Sequence, residues 1–372
     1  MIVIFLSLGI VYFGIMIYFW IGLLRLKTSR AAKCHYPLVT VLVPARNEAL
    51  NIIATLQALD TQTYPKEALQ IIVIDDQSTD NTPQVVADFI KNKPHFQLVC
   101  HHPPQNRPTF KKHALKHGMQ FAKGEIFLTL DADTICQRDW IKQMVCEFEP
   151  DTGMVAGLVT FLPDLEKSWF QKIQTLEFAG LVFCGVGSLG NGRPIMCNGA
   201  NLAYRKEAFE SVGGYDKHLH LLSGDDDLLM QDIHYTTDWK VKYCLSEPAI
   251  NFTRPAETIQ GFLNQRARWG SKAIHYPQKW IFLLLLAVYL FYASLFFLMP
   301  FVLLGKFPVQ WYAGGWGLKL IPELLLTFFA LKKLNRTDLL KWIPVAEILQ
   351  VPYILYAGWK GFWKNFEWKA EK

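Results

Sequence analysis

The chain has 372 residues, of which 51% are hydrophobic and 14% aromatic, and its formal net charge is +6. This length allows one large or two ordinary domains, and the apolar content is high for a soluble domain. The positive charge requires no nucleic-acid partner, because anionic lipid headgroups beside apolar segments are sufficient to account for it. The cysteines have no CxxC spacing, which argues against a structural zinc site.

The first apolar segment, Ile2–Leu24, contains no charged residue and is long enough to span a bilayer. A cleaved signal peptide fits poorly, because the segment has no basic start, is too long and is not followed by a small-residue cleavage site. Basic residues follow the segment directly: Arg25, Lys27, Arg30 and Lys33. The positive-inside rule therefore predicts that the chain from Cys34 onward lies in the cytoplasm.

Strands and helices alternate in the next part of the chain. The predicted strands are Leu38–Pro44, Gln70–Ile74, Phe96–Cys100 and Ile126–Leu130, and the predicted helices are Asn51–Leu59, Thr82–Ile90 and Lys112–Ala122. The first strand is a nearly continuous β-branched run, which is typical of a strand buried on both faces of a parallel sheet. The alternation predicts a doubly wound α/β layer.

Polar residues cluster where three of these strands end, at Pro44–Glu48, Asp75–Asp80 and Asp131–Asp133. In open parallel sheets ligands bind beyond the carboxyl ends of the strands, so these clusters predict a ligand site. Asp131 and Asp133 point the same way, because side chains alternate along a strand. Their carboxylates repel each other unless a cation lies between them or one is protonated. The alternative is ordinary turn chemistry at each cluster.

The middle of the chain is less regular. Asp164–Gly192 is rich in aromatic residues and glycine, and it predicts an amphipathic helix that packs on the sheet or lies against a membrane surface. Cys197–Tyr204 predicts a turn that leads into a strand. Ser223–Leu229 places three consecutive carboxylates at the start of a predicted helix. Acidic residues are favourable at a helix N-terminus, but capping requires only one of them.

The segment Thr258–Ser271 predicts a helix that carries Gln265, Arg268 and Trp269. Residues three and four positions apart share a face of a helix, so an amide, a guanidinium and an indole lie together. One interpretation is a ligand-binding face. The alternative is an interfacial tryptophan anchor, with an arginine side chain that extends to lipid headgroups.

Apolar segments return near the end of the chain, at Trp280–Leu304, Trp311–Leu331 and Trp342–Trp359. The first is a clear candidate for a membrane span. The second is a weaker candidate because it contains Lys319 and Glu323, which are costly in a bilayer. The third contains Glu347, Gln350 and Pro352, and three placements stay open: spanning, re-entrant or interfacial.

Short motifs occupy the predicted loops and helix starts. They are Pro-Ala-Arg-Asn-Glu at 44–48, Asp-Asp-Gln-Ser-Thr-Asp at 75–80, Asp-Ala-Asp at 131–133, Asn-Gly-Ala-Asn at 198–201, Gly-Asp-Asp-Asp at 224–227 and Gln-x-x-Arg-Trp at 265–269. In this order, from about Leu38 to Gly270, the series resembles the membrane-anchored family 2 glycosyltransferases, which include polysaccharide synthases and ceramide glucosyltransferase-like enzymes. The resemblance implies a GT-A fold, a Rossmann-like mixed α/β sheet, with N- and C-terminal transmembrane helices.

The resemblance also implies how the chain is divided into domains. Residues 1–33 form an N-terminal transmembrane anchor with its basic flank, and residues 34–275 form a cytoplasmic catalytic domain. Residues 276–372 form a C-terminal membrane region with two to three transmembrane or interfacial helices. The expected location is the cell (inner) membrane, with membrane lipids as partners and no nucleic acid.

The implied donor is a nucleotide-diphosphate sugar, and the implied donor-binding residues are Pro44, Ala45, Glu48, Asp76, Lys111, Asp131 and Arg268. Asp133 is implied as a ligand of Mg²⁺ or Mn²⁺, because hard cations prefer oxygen ligands and stabilise a diphosphate leaving group. A guanidinium such as that of Arg268 pairs well with phosphate oxygens. The chain departs from the family pattern at Phe110, where a glycine usually precedes the basic residue.

The implied catalytic base is Asp226, with Asp225 beside it, because a carboxylate within reach of the acceptor hydroxyl can take its proton. The run of three acids leaves Asp227 open as well. Gln265 and Trp269 are implied acceptor contacts.

The implied reaction is an inverting, metal-dependent sugar transfer to a lipid or glycan acceptor at the cytoplasmic membrane face. The few predicted spans favour single transfer onto a lipid. A processive polysaccharide synthase is the first alternative. The second is a non-catalytic membrane protein that binds nucleotide sugars.

Overall fold

The structure, a computed structural model, describes residues 1–26, 35–102, 111–221 and 223–363. The strands in these ranges are β1 Val39–Ala45, β2 Leu69–Asp75, β3 Phe96–Cys100, β4 Ile126–Thr129, β5 Thr152–Gly157, β6 Val159–Phe161, β7 Leu202–Arg205, β8 Lys240–Cys244 and β9 Asn251–Thr253. The α-helices are α1 Ile2–Arg25, α2 Ile52–Asp60, α3 Thr82–Ile90, α4 Lys111–Met119, α5 Trp140–Cys146, α6 Trp169–Gly190, α7 Lys206–Ser211, α8 Asp227–Thr236, α9 Ile259–Gly270, α10 Lys279–Leu303, α11 Val309–Lys333 and α12 Ile343–Phe362.

The chain divides into two compact units, a sheet unit and a helical unit. The sheet unit comprises Lys27–Leu162 and Pro194–Arg254, and the helical unit comprises Met1–Leu26, Pro163–Arg193 and Pro255–Lys372. The predicted catalytic domain, 34–275, is therefore not continuous in this division, because 163–193 and 255–275 belong to the helical unit.

The sheet unit contains one large sheet, with the strand order β3-β2-β1-β4-β7-β5-β8 in the described residues. Strands β1 to β4 run parallel, and β7 runs antiparallel to both of its neighbours. Strands β6 and β9 form a separate parallel pair. The predicted mixed α/β sheet is confirmed. Its four parallel strands bring their carboxyl ends to one edge, which is where a ligand site is expected.

The parallel strands form because their residues are apolar on both faces. Val41 and Leu42, which point to opposite faces, have no exposed surface, and neither do Ile71 and Ile72 on the neighbouring strand. Helices on the two faces of such a sheet cover these side chains, which is the arrangement that continuous β-branched runs predict. The predicted strands and helices of this region agree with the structure to within one to three residues at their ends.

The helical unit contains long apolar helices. In the described part of the chain, four helices are long and apolar enough to cross a membrane: α1, α6, α10 and α11. The predicted N- and C-terminal spans agree with α1, α10 and α11. Helix α12 is not among the four, so the placement of the last apolar segment stays open.

Helix α6 differs from its prediction. The sequence favoured an amphipathic helix packed on the sheet, whereas α6 belongs to the helical unit and buries residues around its whole circumference. It packs closely against α1, since a Cβ atom at Gly187 would lie 2.2 Å from the Phe19 carbonyl oxygen. Glycine permits this approach of two helix backbones.

A buried polar network lies inside the helical unit. Lys319 on α11 has no exposed surface and forms ion pairs with Glu323, at 3.0 Å, and with Glu347 on α12. The hydroxyl of Tyr12 on α1 donates to Glu323, and the hydroxyl of Tyr292 on α10 lies 3.2 Å from the same carboxylate. Lys319, Glu323 and Glu347, which weakened the predicted spans, therefore have polar partners within the unit. With the two tyrosines, the network joins four helices.

Candidate active site

Two loops at the carboxyl edge of the sheet are bound to each other. The amide of Asp76 donates to the carbonyl oxygen of Ala45 at 2.8 Å, and the amide of Thr79 donates to Oδ1 of Asn47 at 2.7 Å. Asn47 and Gln77 have positive φ angles of 55° and 57°. Non-glycine residues in this conformation are uncommon and occur often at binding sites. Hydrogen bonds thus connect the two loops that carry the predicted donor-binding residues.

The carboxylates of these loops have defined partners. Glu48 is buried, and Asn51 donates to its Oε2 at 2.8 Å. Asp76 is buried and lies 2.9 Å from Nδ1 of His101, the first residue after β3. The sequence interpretation missed His101. Its position directly after a strand, at the edge where ligands bind, is the signal that identifies it.

The first aspartate after β4, Asp131, contacts a cation on another element. Nζ of Lys111, the first residue of α4, lies 2.6 Å from Oδ1 of Asp131 and 2.8 Å from Oδ2 of Asp225. Asp133 is half-buried on the same turn. A cation next to these carboxylates was predicted from their spacing, and in the structure a lysine ammonium takes that position for Asp131.

Charge pairing determines the protonation of this cluster. Burial opposes the charged ammonium, but the Asp131 and Asp225 carboxylates raise the pKa of Lys111 well above its usual range. Burial likewise opposes the charged form of Asp225, but the ammonium of Lys111 lowers the pKa of that carboxyl. A depressed carboxyl pKa means that the ionised form persists as the pH falls below the ordinary aspartate range. Lys111 and Asp225 are therefore both charged at neutral pH.

The three consecutive acids take three different roles. Asp225 pairs with Lys111, whereas Asp227 is buried and its Oδ1 accepts from the amide of Cys197 at 3.1 Å. Asp226 is half-buried and caps α8, accepting from the amide of Asp227 at 2.7 Å and from that of Gly199 at 3.2 Å. The ammonium of Lys111 makes Asp225 a weaker base than a carboxylate without such a partner.

The loop at 198–201 supports this arrangement from the other side. The carbonyl oxygen of Gly199 accepts from the Thr129 hydroxyl at 2.8 Å, which binds the loop to β4. A Cβ atom at Gly199 would lie 2.8 Å from Oδ2 of Asp225 and 3.0 Å from Nζ of Lys111. Asn201 is fully buried and its side chain bonds to Trp140 and to two backbone carbonyls, so its role is structural.

Replacement of Gly199 by alanine tests this close packing. We expect the added methyl group to push Asp225 and Lys111 apart, because both lie closer than ordinary van der Waals contact permits. Donor affinity, measured by isothermal titration calorimetry, should fall by about tenfold. Gly180→Ala is the control, since no atom lies within 4 Å of its added Cβ. Equal donor affinity in the two variants would contradict the packing argument.

The predicted acceptor residues lie on α9 in the helical unit. The side-chain oxygen of Gln265 accepts from Nη1 of Arg266 at 2.7 Å, and the ring of Trp269 stacks on Phe178 with centroids 5.6 Å apart. Arg266, which the sequence interpretation passed over, is buried and pairs with Glu177. Its guanidinium also lies 4.3 Å from the Trp269 ring centroid. Packing within the unit therefore fixes the orientation of the predicted acceptor residues.

The turn after β4 carries the predicted metal ligand, Asp133. Asp131 and Asp133 offer hard carboxylate oxygens of the kind that Mg²⁺ and Mn²⁺ bind. Within the described ranges, however, no group of three or more His, Cys, Asp or Glu residues is arranged to hold a metal. In this part of the chain, Asp131 and Asp133 offer such an ion two carboxylates, one of which already pairs with Lys111.

Comparison with known proteins agrees with this geometry. The family described as Glycosyl transferase family 2 matches residues 40–213. The chain carries a family 2 glycosyltransferase domain. This domain contains β1 to β4 and the Asp131–Asp133 turn, and the resemblance seen in the motifs is confirmed.

Two curated relatives share this domain. Poly-beta-1,6-N-acetyl-D-glucosamine synthase of Staphylococcus epidermidis is 31% identical over 241 residues, which cover 62% of this chain and 53% of the relative. Probable glycosyltransferase YdaM of Bacillus subtilis is 29% identical over 238 residues, which cover 63% of this chain and 54% of the relative. The chain thus spans about half the length of the curated relatives it matches.

One solved structure matches nearly the whole chain. It is a mannosyltransferase from Pyrobaculum calidifontis in complex with GDP-mannose and Mn²⁺, with a TM-score of 0.60 and 19% identity, and the match covers 98% of this chain and 99% of that one. At this identity the match establishes the fold alone. The predicted GT-A fold is confirmed.

Proposed function

We propose that the protein transfers a sugar from a nucleotide-diphosphate sugar to a lipid or glycan acceptor. The observation that carries this proposal is the cluster of Asp131, Lys111 and Asp225 at the carboxyl edge of the sheet. Asp131 and Lys111 lie in the segment that matches the family 2 glycosyltransferases, whereas Asp225 and the half-buried Asp226 follow that segment in the chain. Glu48 and Asp76 supply the surface for the nucleoside.

The proposed chemistry assigns one proton transfer to Asp226. The acceptor hydroxyl oxygen attacks the anomeric carbon, and the bond from that carbon to the phosphate oxygen breaks on the opposite side, which inverts the configuration. The hydroxyl proton passes to the Asp226 carboxylate, and the nucleoside diphosphate leaves with the bonding electrons. The Lys111–Asp225 ion pair positions the loop that holds Asp226. The ammonium of Lys111 also keeps the carboxyl group of Asp225 ionised.

A divalent ion, when bound, supplies positive charge that stabilises the diphosphate leaving group. Asp133 is the proposed protein ligand, because its partner acid, Asp131, already pairs with Lys111. Arg268 is proposed to contact the diphosphate, and Gln265 and Trp269 the acceptor. Mn²⁺ is the first ion to test, since a solved structure with this fold contains it.

The proposed metal role predicts a conditional effect of Asp133→Ala. Donor binding, measured by calorimetry, should weaken by about tenfold with Mn²⁺ present and remain unchanged with chelator, because the lost carboxylate acts only through the ion. Asp139→Asn is the control, since the side chain of Asp139 instead accepts from the hydroxyl of Thr63 at 2.5 Å. The metal role would be contradicted by the same loss of affinity with and without chelator.

The proposed location is the cell membrane, with the sheet unit in the cytoplasm. The support is the set of apolar helices α1, α10 and α11 together with the basic residues after α1. Helix α6 is not proposed to span, because the segments before and after it contribute strands to the same sheet. A protease-protection assay on inverted membrane vesicles tests this orientation. Cleavage of the sheet unit in inverted but not in right-side-out vesicles is the expected result.

A second candidate function is polymer synthesis, which is favoured by the 31% identity to a poly-beta-1,6-N-acetyl-D-glucosamine synthase. One experiment separates the two. Purified protein is mixed with a panel of nucleotide sugars, including UDP-N-acetylglucosamine and GDP-mannose, with and without lipid extract. Nucleotide release is measured, and the products are sized. A single lipid-linked sugar supports single transfer, a ladder of lengths supports the synthase, and no release with any donor rejects both.

A further inference from the structure

A groove of about 380 Å³ lies in the helical unit between α1 and α10. One wall is a stripe on α1 made by Val11, Gly14, Ile15 and Tyr18, which recur at helical spacing on one face. The proposed catalytic chemistry uses none of these residues. The groove is open at Gly14, where a Cβ atom would have no neighbour within 4 Å.

The other wall changes from apolar to polar along its length. Leu284 and Trp280 come from α10, and Arg193 follows the end of α6. The Arg193 guanidinium lies 5.7 Å from the centroid of the Trp280 ring, and in the described residues it has no carboxylate partner. The hydroxyl of Tyr18 is buried and lacks a hydrogen-bond partner. One end of an otherwise apolar groove thus holds an unpaired cation and an unpaired hydroxyl.

The side chain of Asn191 holds the polar end of the groove in place. The side chain of Asn191 donates to the carbonyl oxygen of Tyr18 at 2.6 Å and accepts from Arg25 at 2.8 Å. These bonds fix the segment that carries Arg193 against the basic end of α1. Tryptophan and arginine are typical of the depth where lipid headgroups begin, so the groove extends from that level toward the bilayer centre.

We propose that this groove binds an anionic phospholipid, with its phosphate at Arg193 and Tyr18 and an acyl chain along Gly14 and Leu284. The charge of the unpaired guanidinium selects an anionic headgroup over a zwitterionic one, and the apolar walls match a hydrocarbon chain. The proposal rests on insertion of α1 and α10 in a bilayer. It does not depend on the proposed sugar transfer.

Native mass spectrometry of the full chain in mild detergent tests the proposal, with palmitoyl-oleoyl phosphatidylglycerol and the matching phosphatidylcholine as probes. The wild-type protein should retain one phosphatidylglycerol, about fivefold more than phosphatidylcholine. Arg193→Gln should remove this preference. Equal retention of both lipids by the wild type, or an unchanged preference in Arg193→Gln, would overturn the proposal.

A second pair of variants tests the groove itself. Gly14→Leu fills open space and should reduce retention of both lipids, whereas Gly314→Leu on α11, which also meets no atom within 4 Å, should retain them as the wild type does. Full retention in Gly14→Leu would place the lipid elsewhere. In a competition with total lipid extract, displacement of phosphatidylglycerol by a polyprenyl phosphate would overturn the choice of occupant. Neither readout requires donor or turnover, so failure of the transfer reaction leaves the lipid result intact.

Discussion

Asp226→Asn is expected to reduce the rate of sugar transfer by about a hundredfold to ten-thousandfold, with nearly unchanged donor binding. Asparagine cannot accept the proton of the acceptor hydroxyl. Asparagine is, however, as good a helix N-cap as aspartate, and its single side-chain oxygen can keep one of the two amide bonds, from Asp227 or from Gly199. The fold should therefore persist, and the loss should appear in kcat. The measurement is nucleotide release at saturating donor, together with calorimetric donor affinity.

The neighbouring acids provide the comparison for this experiment. Asp225→Asn breaks the ion pair with Lys111, so it should weaken donor binding as well as turnover. Asp238→Asn, on the loop before β8, is the matched control and should leave both quantities unchanged. Turnover near the wild-type rate in Asp226→Asn would remove that residue from the mechanism. A loss confined to kcat in Asp225→Asn would instead assign the proton transfer to Asp225.

Lys319→Met is expected to destabilise the helical unit by about 3 kcal/mol or more. Lys319 is fully buried, and its removal leaves the carboxylates of Glu323 and Glu347 without their shared cation. Removing one member of a buried ion pair costs far more than the pair itself contributes, because the remaining charge stays desolvated. Thermal unfolding in detergent, followed by size-exclusion fluorescence, should show a lower midpoint.

Two further variants make the test specific. Lys332→Met changes an exposed lysine at the end of the same helix and should leave the midpoint unchanged. Lys319→Met combined with Glu347→Gln removes an uncompensated carboxylate and should recover part of the lost stability. If the single variant unfolds at the wild-type temperature, the network does not stabilise the unit. If the double variant is no better than the single one, charge compensation is not the cause.

The sheet was predictable from the sequence because its signals are local. Each of β1 to β4 is a short, mostly apolar run, and β1, β2 and β4 each end in a polar cluster within a few residues. The acids at these ends were identified for the same reason. The pairing of Lys111 with Asp225 was not predictable, because the two residues are more than a hundred positions apart and only the folded chain brings them together.

The helical unit was less predictable for a related reason. Lys319 and Glu347 weakened the case for membrane helices when each segment was considered alone, since an unpaired charge is costly in a bilayer. The ion pair between the two residues offsets this energetic cost. Because Lys319 and Glu347 lie on different helices, the sequence of either segment alone does not reveal the pair. Arg266 was missed in the same way, because its partner, Glu177, lies on α6. The local sequence pattern predicts helices and strands. The ion pairs and hydrogen bonds of buried polar residues depend on contacts between segments that are far apart in the chain.

The bond between Tyr12 and Glu323 joins residues 311 positions apart. Tyr12 therefore leaves the ribosome 311 residues before its acceptor does. In the proposed membrane location, α1 therefore enters the lipid before the acceptor of the Tyr12 hydroxyl has been synthesised. A product that ends before α11 would lack this acceptor and leave the Tyr12 hydroxyl exposed to hydrocarbon. We expect such a product to be degraded faster than the full chain.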